Sequence, residues 1–309
     1  MKEVYTLDDL TDHTTLDKDA EKPAKLAVLG HPVAHSLSPQ MHQQALDSLG
    51  INTRYIRIDI KPGQVGEAIK RMQDLNFIGC NVTVPHKVEA MQNCQDLSQD
   101  AEALQAVNTI IFGETILGHN TDAGGFARAI REEFGIDLGD LKVMIIGAGG
   151  GAGRAAAIQC ARTGCERIWL INRTVEKIHT LKSDLNDLIK NTEKLEGPGE
   201  RLECLPSDSP LLLEAAGHAD LIINATSLGL KPFDPIPLPE ACTQPHHLVY
   251  DMIYNPPLSP LLKHAQISGA RTGNGLSMLL HQGALAFECW FPHEKNPLAH
   301  MREGLSNAL

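Results

Sequence analysis

Apolar runs and amphipathic stretches alternate along most of the chain. Leu26–Gly30 is continuously apolar and predicts a buried strand, whereas Tyr55–Ile60 alternates apolar and polar positions as a half-buried strand does. Between them, Gln40–Leu49 predicts a helix that stops at Gly50, with Ser38 as its N-cap and Pro39 in its first turn. A second helix is predicted over Pro62–Leu75, then a strand over Ile78–Val84 that must break at Pro85, because proline cannot donate to a ladder. A helical stretch starts at Val88, and Ala106–Ile111 gives another short strand. Gly118–Phe126 reads as a turn opening a helix that runs to about Phe134. Strand alternating with helix implies a mostly parallel sheet.

The second half repeats the alternation. Strands are predicted over Lys142–Ile146, Arg167–Ile171, Leu221–Ser227 and Leu248–Ile253. A helix begins at Ser259 and stops near Gly269, and a long amphipathic helix covers Gly275 to about Trp290. Residues 186–210 are charged and broken, expected to be loops around a short strand, and Lys231–Pro239 is a proline-rich loop. Residues 1–24 are polar and show no period, so they are expected to form a flexible extension.

Composition narrows the class. The 309 residues are 42% hydrophobic and 21% charged, which suits a globular chain able to bury a core. A net charge of −11 without a basic stripe argues against nucleic acid as a partner. The N-terminus lacks the apolar stretch of a secretory signal, and no run approaches the length that spans a bilayer, so a cytoplasmic protein with no membrane partner is expected. The seven cysteines (Cys80, Cys94, Cys160, Cys165, Cys204, Cys242 and Cys289) are scattered and form no C-x-x-C pair, which fits a reducing compartment. His31, His35 and His42 have no ligand partners at metal spacing, so no metal is expected.

Three stretches carry chemistry. The strand Lys142–Ile146 enters Gly147-Ala148-Gly149-Gly150-Gly151-Ala152-Gly153-Arg154 and then a helix. In that context glycines let backbone amides approach a pyrophosphate, and the helix N-terminus offers a favourable dipole. The next strand ends in Asn172-Arg173-Thr174, where NAD-binding sheets place a carboxylate for the ribose 2′-hydroxyl. An amide, a guanidinium and a hydroxyl suit a 2′-phosphate instead, which points to NADP. In the first half, Asn81, Thr83 and Lys87 lie where a strand hands over to a helix, the carboxyl edge at which α/β sheets bind ligands.

Taken in order, His35-Ser36-Leu37-Ser38-Pro39, Asn81-Val82-Thr83-Val84-Pro85-His86-Lys87, Ala106-Val107-Asn108-Thr109, Asn120-Thr121-Asp122-Ala123-Gly124-Gly125, the Gly147 loop, Asn172-Arg173-Thr174, Asn224-Ala225-Thr226-Ser227, Asp251-Met252-Ile253-Tyr254-Asn255-Pro256 and Gly275–Ala284 resemble shikimate dehydrogenases over about residues 25–292. The resemblance implies an α/β chain with a substrate domain of residues 25–121 and 275–309, a Rossmann dinucleotide domain of residues 122–274, and a cleft between them. It implies reversible NADPH-dependent reduction of 3-dehydroshikimate to shikimate by a monomer or homodimer. It further implies that Lys87 and Asp122 are the catalytic pair and that Ser36 and Ser38 hold the substrate carboxylate, with Tyr254 nearby. Asn81, Thr83, Asn108 and Gln282 would hold the hydroxyls. Gly147, Gly149, Gly150, Gly151, Ala152, Asn172, Arg173, Thr174, Thr226, Met252 and Gly275 would hold the cofactor. The glycine loop is one residue longer than the family's usual GAGGAAR, which leaves the register of its third position open. The competing readings are a quinate/shikimate dehydrogenase using NAD or both cofactors, and a non-catalytic relative that binds the metabolite.

Overall fold

Strands that are apolar on both faces need helices over both faces, and the chain meets that need twice. A computed structural model of the chain describes residues 2–139, 141–190, 201–231, 233–294 and 297–309. It divides into two compact units, Met1–Thr121 with Leu280–Leu309, and Asp122–Leu279.

The first unit contains β1 (Tyr5–Thr6), α1 (His13–Leu16), β2 (Ala24–Gly30), α2 (Ser38–Ser48), β3 (Arg54–Asp59), α3 (Val65–Asp74), β4 (Gly79–Val82), α4 (Lys87–Gln92), β5 (Asp96–Leu97), α5 (Gln99–Leu104), β6 (Thr109–Phe112) and β7 (Ile116–His119). Its sheet runs β1-β3-β2-β4-β6-β7-β5. The parallel core β3-β2-β4 was legible, but β6 runs antiparallel to both β4 and β7. Gly118 and His119, expected to begin a turn, lie instead in strand β7. The N-cap of α2 is Leu37, not Ser38; Ser38 is the first helical residue, and its backbone N–H donates to Ser36 Oγ at 3.3 Å.

The N-terminal extension is folded, contrary to expectation. Tyr5 and Thr6 pair with Ile58 and Asp59 on the edge of β3. Tyr5, Leu10 and Leu16 join the core of this unit. The Tyr5 hydroxyl donates to Leu16 O (3.0 Å), and Arg54 donates to Leu16 O (2.7 Å), Asp17 Oδ1 (3.0 Å) and Lys22 O (2.8 Å). No period was visible because the pieces span two and four residues, less than one repeat of a detectable pattern. Leu16→Ala is therefore expected to cost about 2–5 kcal/mol in a denaturant melt, as for any buried leucine; a flexible tail would lose nothing.

The second unit contains α6 (Asp122–Phe134), β8 (Lys142–Ile146), α7 (Gly151–Thr163), β9 (Arg167–Asn172), α8 (Val175–Lys190), β10 (Leu202–Pro206), α9 (Leu212–His218), β11 (Leu221–Asn224), β12 (Leu248–Asp251), α10 (Pro260–Ile267) and β13 (Arg271–Asn274). Its sheet is parallel throughout, ordered β10-β9-β8-β11-β12-β13. In chain order that is 3-2-1-4-5-6, the doubly wound arrangement, with its switch point between β8 and β11. Ile146 sits level with Ile171 and with Asn224, so the ends of the three strands β8, β9 and β11 form one edge. Of the stretch 186–210, expected as loops around a short strand, residues 186–190 instead continue helix α8, Leu202–Pro206 is the short strand, and residues 191–200 lie outside the described residues. Helix α11 (Leu276–Trp290) matches the long helix predicted, whereas α12 (Pro297–Ser306) was not foreseen. Among the described residues no helix is long and apolar enough to cross a membrane.

Candidate active site

In the first unit, β4 carries Asn81 and ends at Val82; the chain then turns through Thr83 and a cis Val84–Pro85 bond to Lys87, the first residue of α4. Backbone bonds pin this turn. Thr83 N donates to Leu29 O (2.8 Å), His31 N to Val84 O (3.2 Å), His86 N to Thr83 O (2.9 Å) and Val107 N to Lys87 O (2.9 Å). Thr83 and Lys87 are half-buried on this edge.

Asn81 and Asn108 are tied into the protein. Tyr55 donates its hydroxyl to Asn81 Oδ1 (2.7 Å), and Asn81 Nδ2 donates to Asn108 O (3.3 Å) and Thr109 Oγ1 (3.2 Å). Asn108 Oδ1 accepts from Thr121 N and Thr109 Oγ1 (both 2.9 Å). Both side chains are buried, at 5% and 2% exposure, so much of their hydrogen-bonding capacity goes to each other and to their neighbours. Thr121, fixed in this way, immediately precedes Asp122, the first residue of α6, whose side chain is also buried.

Ser36 is half-buried, and its carbonyl is gripped by Arg57 through Nη2 (2.7 Å) and Nε (3.1 Å). The same guanidinium reaches Gln40 Oε1 at 2.9 Å. Sequence reasoning missed Arg57, whose sole signal was a charge at an outward position of β3. Gln282 lies half-buried on α11. Under this edge, the imidazole of His42 stacks on Tyr55 with ring centroids 4.5 Å apart, fully buried beside Phe287 and Trp290.

Burial pushes the His42 pKa down from 6.5 to about 3, with Asn81 offsetting only part of the effect. The unfolded chain binds a proton below pH 6.5 that the folded chain refuses, so the folded state loses stability as pH falls through that window. At ~1.4 kcal/mol per pH unit, His42 accounts for about 2 kcal/mol between pH 6.5 and 5. Urea melts at pH 7 and 5 are expected to show that loss in the wild type. The loss should be shallower by about that amount in His42→Phe, which keeps a ring on Tyr55. His119 and His247, also lowered by burial, add acid sensitivity in the same direction.

In the second unit, a cleft of about 380 Å³ opens at the carboxyl edge of the sheet. Gly147, Gly149 and Gly150 form its floor; Asn172, Arg173, Thr174 and Lys177 line one side, and Ala225–Leu228 the other. Gly147 has φ +82°, the left-handed region glycine enters freely, and its N–H donates to Ile171 O at 2.8 Å. A Cβ on Gly153 would collide with Gly147 O, whereas one on Gly151 would meet open space. The third glycine of the fingerprint, needed for close helix–strand approach, is thus Gly153, and the extra residue lies before it. Gly151 and Ala152 occupy the first turn of α7, outside the cleft lining. Met252 and Gly275 also lie outside it and approach each other: a Cβ on Gly275 would strike Met252 O. Tyr254 is half-buried, and burial raises its phenol above the ordinary value.

These residues fit the diphosphate and 2′-phosphate of a dinucleotide. The helix N-terminus and glycine amides suit the former, and exposed Arg173, just past β9, and Lys177, in the first turn of α8, suit the latter. Lys177 was not foreseen, although its place one helical turn after Thr174 at the start of α8 was a readable signal. Among the described residues no three His, Cys, Asp or Glu side chains converge on a possible metal site.

A glycine turn at the switch point of a doubly wound sheet, with cations where a carboxylate would select NAD, defines a dinucleotide-binding protein of the phosphorylated-cofactor type. Residues 28–110 match the shikimate dehydrogenase substrate binding domain, residues 128–228 match shikimate / quinate 5-dehydrogenase, and residues 275–303 match the shikimate 5'-dehydrogenase C-terminal domain. The shikimate dehydrogenase (NADP(+)) of Methanopyrus kandleri is 38% identical over 283 residues, 91% of this chain and 94% of that protein. A shikimate dehydrogenase crystallised with NADP+ superimposes with a TM-score of 0.82 at 35% identity, covering 92% of this chain and 94% of the other. The Thermus thermophilus shikimate 5-dehydrogenase, solved with NADP(H) and shikimate, gives a TM-score of 0.79 at 35% identity, covering 93% and 100%. The chain belongs to the shikimate dehydrogenase family.

Proposed function

We propose that this protein is an NADP-dependent shikimate dehydrogenase, interconverting 3-dehydroshikimate and shikimate in chorismate biosynthesis. The observation that carries the reading is the cation-lined cleft at the end of β9, on a chain 38% identical to a shikimate dehydrogenase (NADP(+)) across nine-tenths of its length. Gly147, Gly149, Gly150 and Thr226 hold the cofactor diphosphate region, and Asn172, Arg173, Thr174 and Lys177 its 2′-phosphate side. The nicotinamide supplies or takes the hydride.

The protein manages the remaining proton and the charge on the substrate oxygen. Lys87 as an ammonium donates to that oxygen in reduction, and as an amine accepts the hydroxyl proton in oxidation. Asp122 shares the proton with Lys87. Ser36 and Ser38 take the substrate carboxylate, and Thr83, Gln282, Asn81 and Asn108 orient its hydroxyls. Since the two asparagines are tied to Tyr55, Thr109 and Thr121, they serve chiefly as a preset frame. The enzyme works in the cytoplasm as a monomer or homodimer.

Initial rates with shikimate or quinate, each with NADP+ or NAD+, test this reading. Shikimate with NADP+ should be fastest; a clear preference for NAD+ or quinate would replace it with the quinate/shikimate alternative.

A further inference from the structure

The carboxylate of Asp251 is fully buried at the carboxyl end of β12, outside the cleft lining, and nothing in the proposed chemistry uses it. Burial pushes its carboxyl above the ordinary value, so a carboxylate here is a burden unless it is well paired. Among the described residues three groups face it: Asn224 Nδ2 (3.0 Å) and Ile253 N (3.0 Å) donate to Oδ1, and Ser259 Oγ (2.5 Å) donates to Oδ2. The consequence lies in Asn224, also fully buried. An amide has two ends of nearly equal shape, and its environment decides which way it points. An acceptor at Oδ1 of Asp251 forces the NH₂ end of Asn224 toward itself, which leaves Asn224 Oδ1 facing the cleft wall. There it accepts from Thr226 N (3.0 Å) and Thr226 Oγ1 (2.7 Å). Having donated, Thr226 Oγ1 accepts from Leu228 N (3.1 Å), while Asn224 Nδ2 also donates to Leu228 O (3.1 Å). Every bond in the chain has one consistent polarity; reversing the amide would break three of them, those to Asp251, Leu228 O and Thr226 N, and keep only the Thr226 hydroxyl, turned to accept. Thr226 and Leu228 line the cleft.

We propose that Asp251 is a positioning residue for the cofactor: by orienting the Asn224 amide it fixes the Thr226–Leu228 wall in the shape that takes NADP. This rests on the reading of the cleft as the NADP site. No covalent step is involved; the contribution is preorganisation, which lowers the ordering cost of binding.

The test is calorimetric titration of the full-length chain with NADP+, well below its unfolding temperature. Asp251→Ala is expected to weaken binding about tenfold, the effect of one misdirected buried hydrogen bond. Asp251→Asn should stay within about twofold, because its oxygen can still accept from Asn224 and Ile253 while the Ser259 hydroxyl turns to accept from its NH₂. Asn224→Ala should match Asp251→Ala, and the double variant should be no weaker than either single one, since both cut the same chain. KM for shikimate should be unchanged throughout, which a general loss of structure would not give. Wild-type affinity in Asp251→Ala, or additive losses in the double variant, would overturn the proposal. If Asp251→Ala does not fold, Asn224→Ala decides, since it leaves the Asp251–Ser259 bond in place; wild-type affinity there would overturn the proposal. A wild-type chain that does not bind NADP+ contradicts the cofactor reading instead.

Discussion

Replacing Lys87 with alanine lowers kcat by roughly 10²–10⁴-fold, the usual range for a positioned acid–base group, while KM for shikimate moves far less. Hydride transfer leaves one proton and a developing charge on the substrate oxygen, and water replaces a fixed ammonium poorly. Lys87 is suited to the role by the rigidity of its backbone. It opens α4 directly after a turn pinned at Thr83, His86 and the Lys87 carbonyl, so its side chain starts from a fixed point. Lys87→Arg separates the two parts of the task. Arginine restores positive charge but does not deprotonate in proteins, so oxidation of shikimate should stay slow. Full turnover in Lys87→Ala would remove Lys87 from the mechanism.

The second large effect concerns the choice of cofactor. Arg173→Ala should lower kcat/KM for NADP+ by roughly 10- to 100-fold, the worth of a charge-assisted bond to phosphate at an exposed site, and leave the NAD+ rate nearly unchanged. The asymmetry follows because the 2′-phosphate is the only difference between the two. Lys177 lines the same side of the cleft and should retain part of the preference, so Arg173→Ala/Lys177→Ala should approach indifference. Equal losses with both cofactors would mean that Arg173 supports the cleft generally and does not read the phosphate. Raised salt should shrink the Arg173 effect, since the side chain is exposed.

The parts of the fold that sequence revealed are those with one dominant physical cause. Strands β2, β8 and β11 are buried on both faces and read as apolar runs; the glycine turn reads because a ligand-approaching backbone tolerates no side chain. What stayed hidden depends on distant partners. Tyr5, Leu10 and Leu16 are core residues in or between elements too short to show a period, and Arg54 from β3 ties down Tyr5 and Leu16. The antiparallel sense of β6 depends on its pairing with β4 and β7, not on its composition. Gly151 and Gly153 are equal in sequence, and only the approach of Gly147 O to Gly153 distinguishes them. Asn81 and Asn108 look like free amides in sequence, yet they are committed to Tyr55, Thr109 and Thr121. Asp251 shows the same limit: as one letter beside Met252 it carries no sign of the four-residue chain that ends at the cleft.

The measurement that bears most directly on the central claim is the growth of reduced-nicotinamide absorbance when the purified chain is mixed with shikimate and NADP+, run beside Lys87→Ala. The wild type should produce NADPH steadily, many times faster than with NAD+, and the variant should be nearly silent. A wild-type chain that binds shikimate yet produces no NADPH, or a Lys87→Ala chain that turns over at the wild-type rate, would contradict the account.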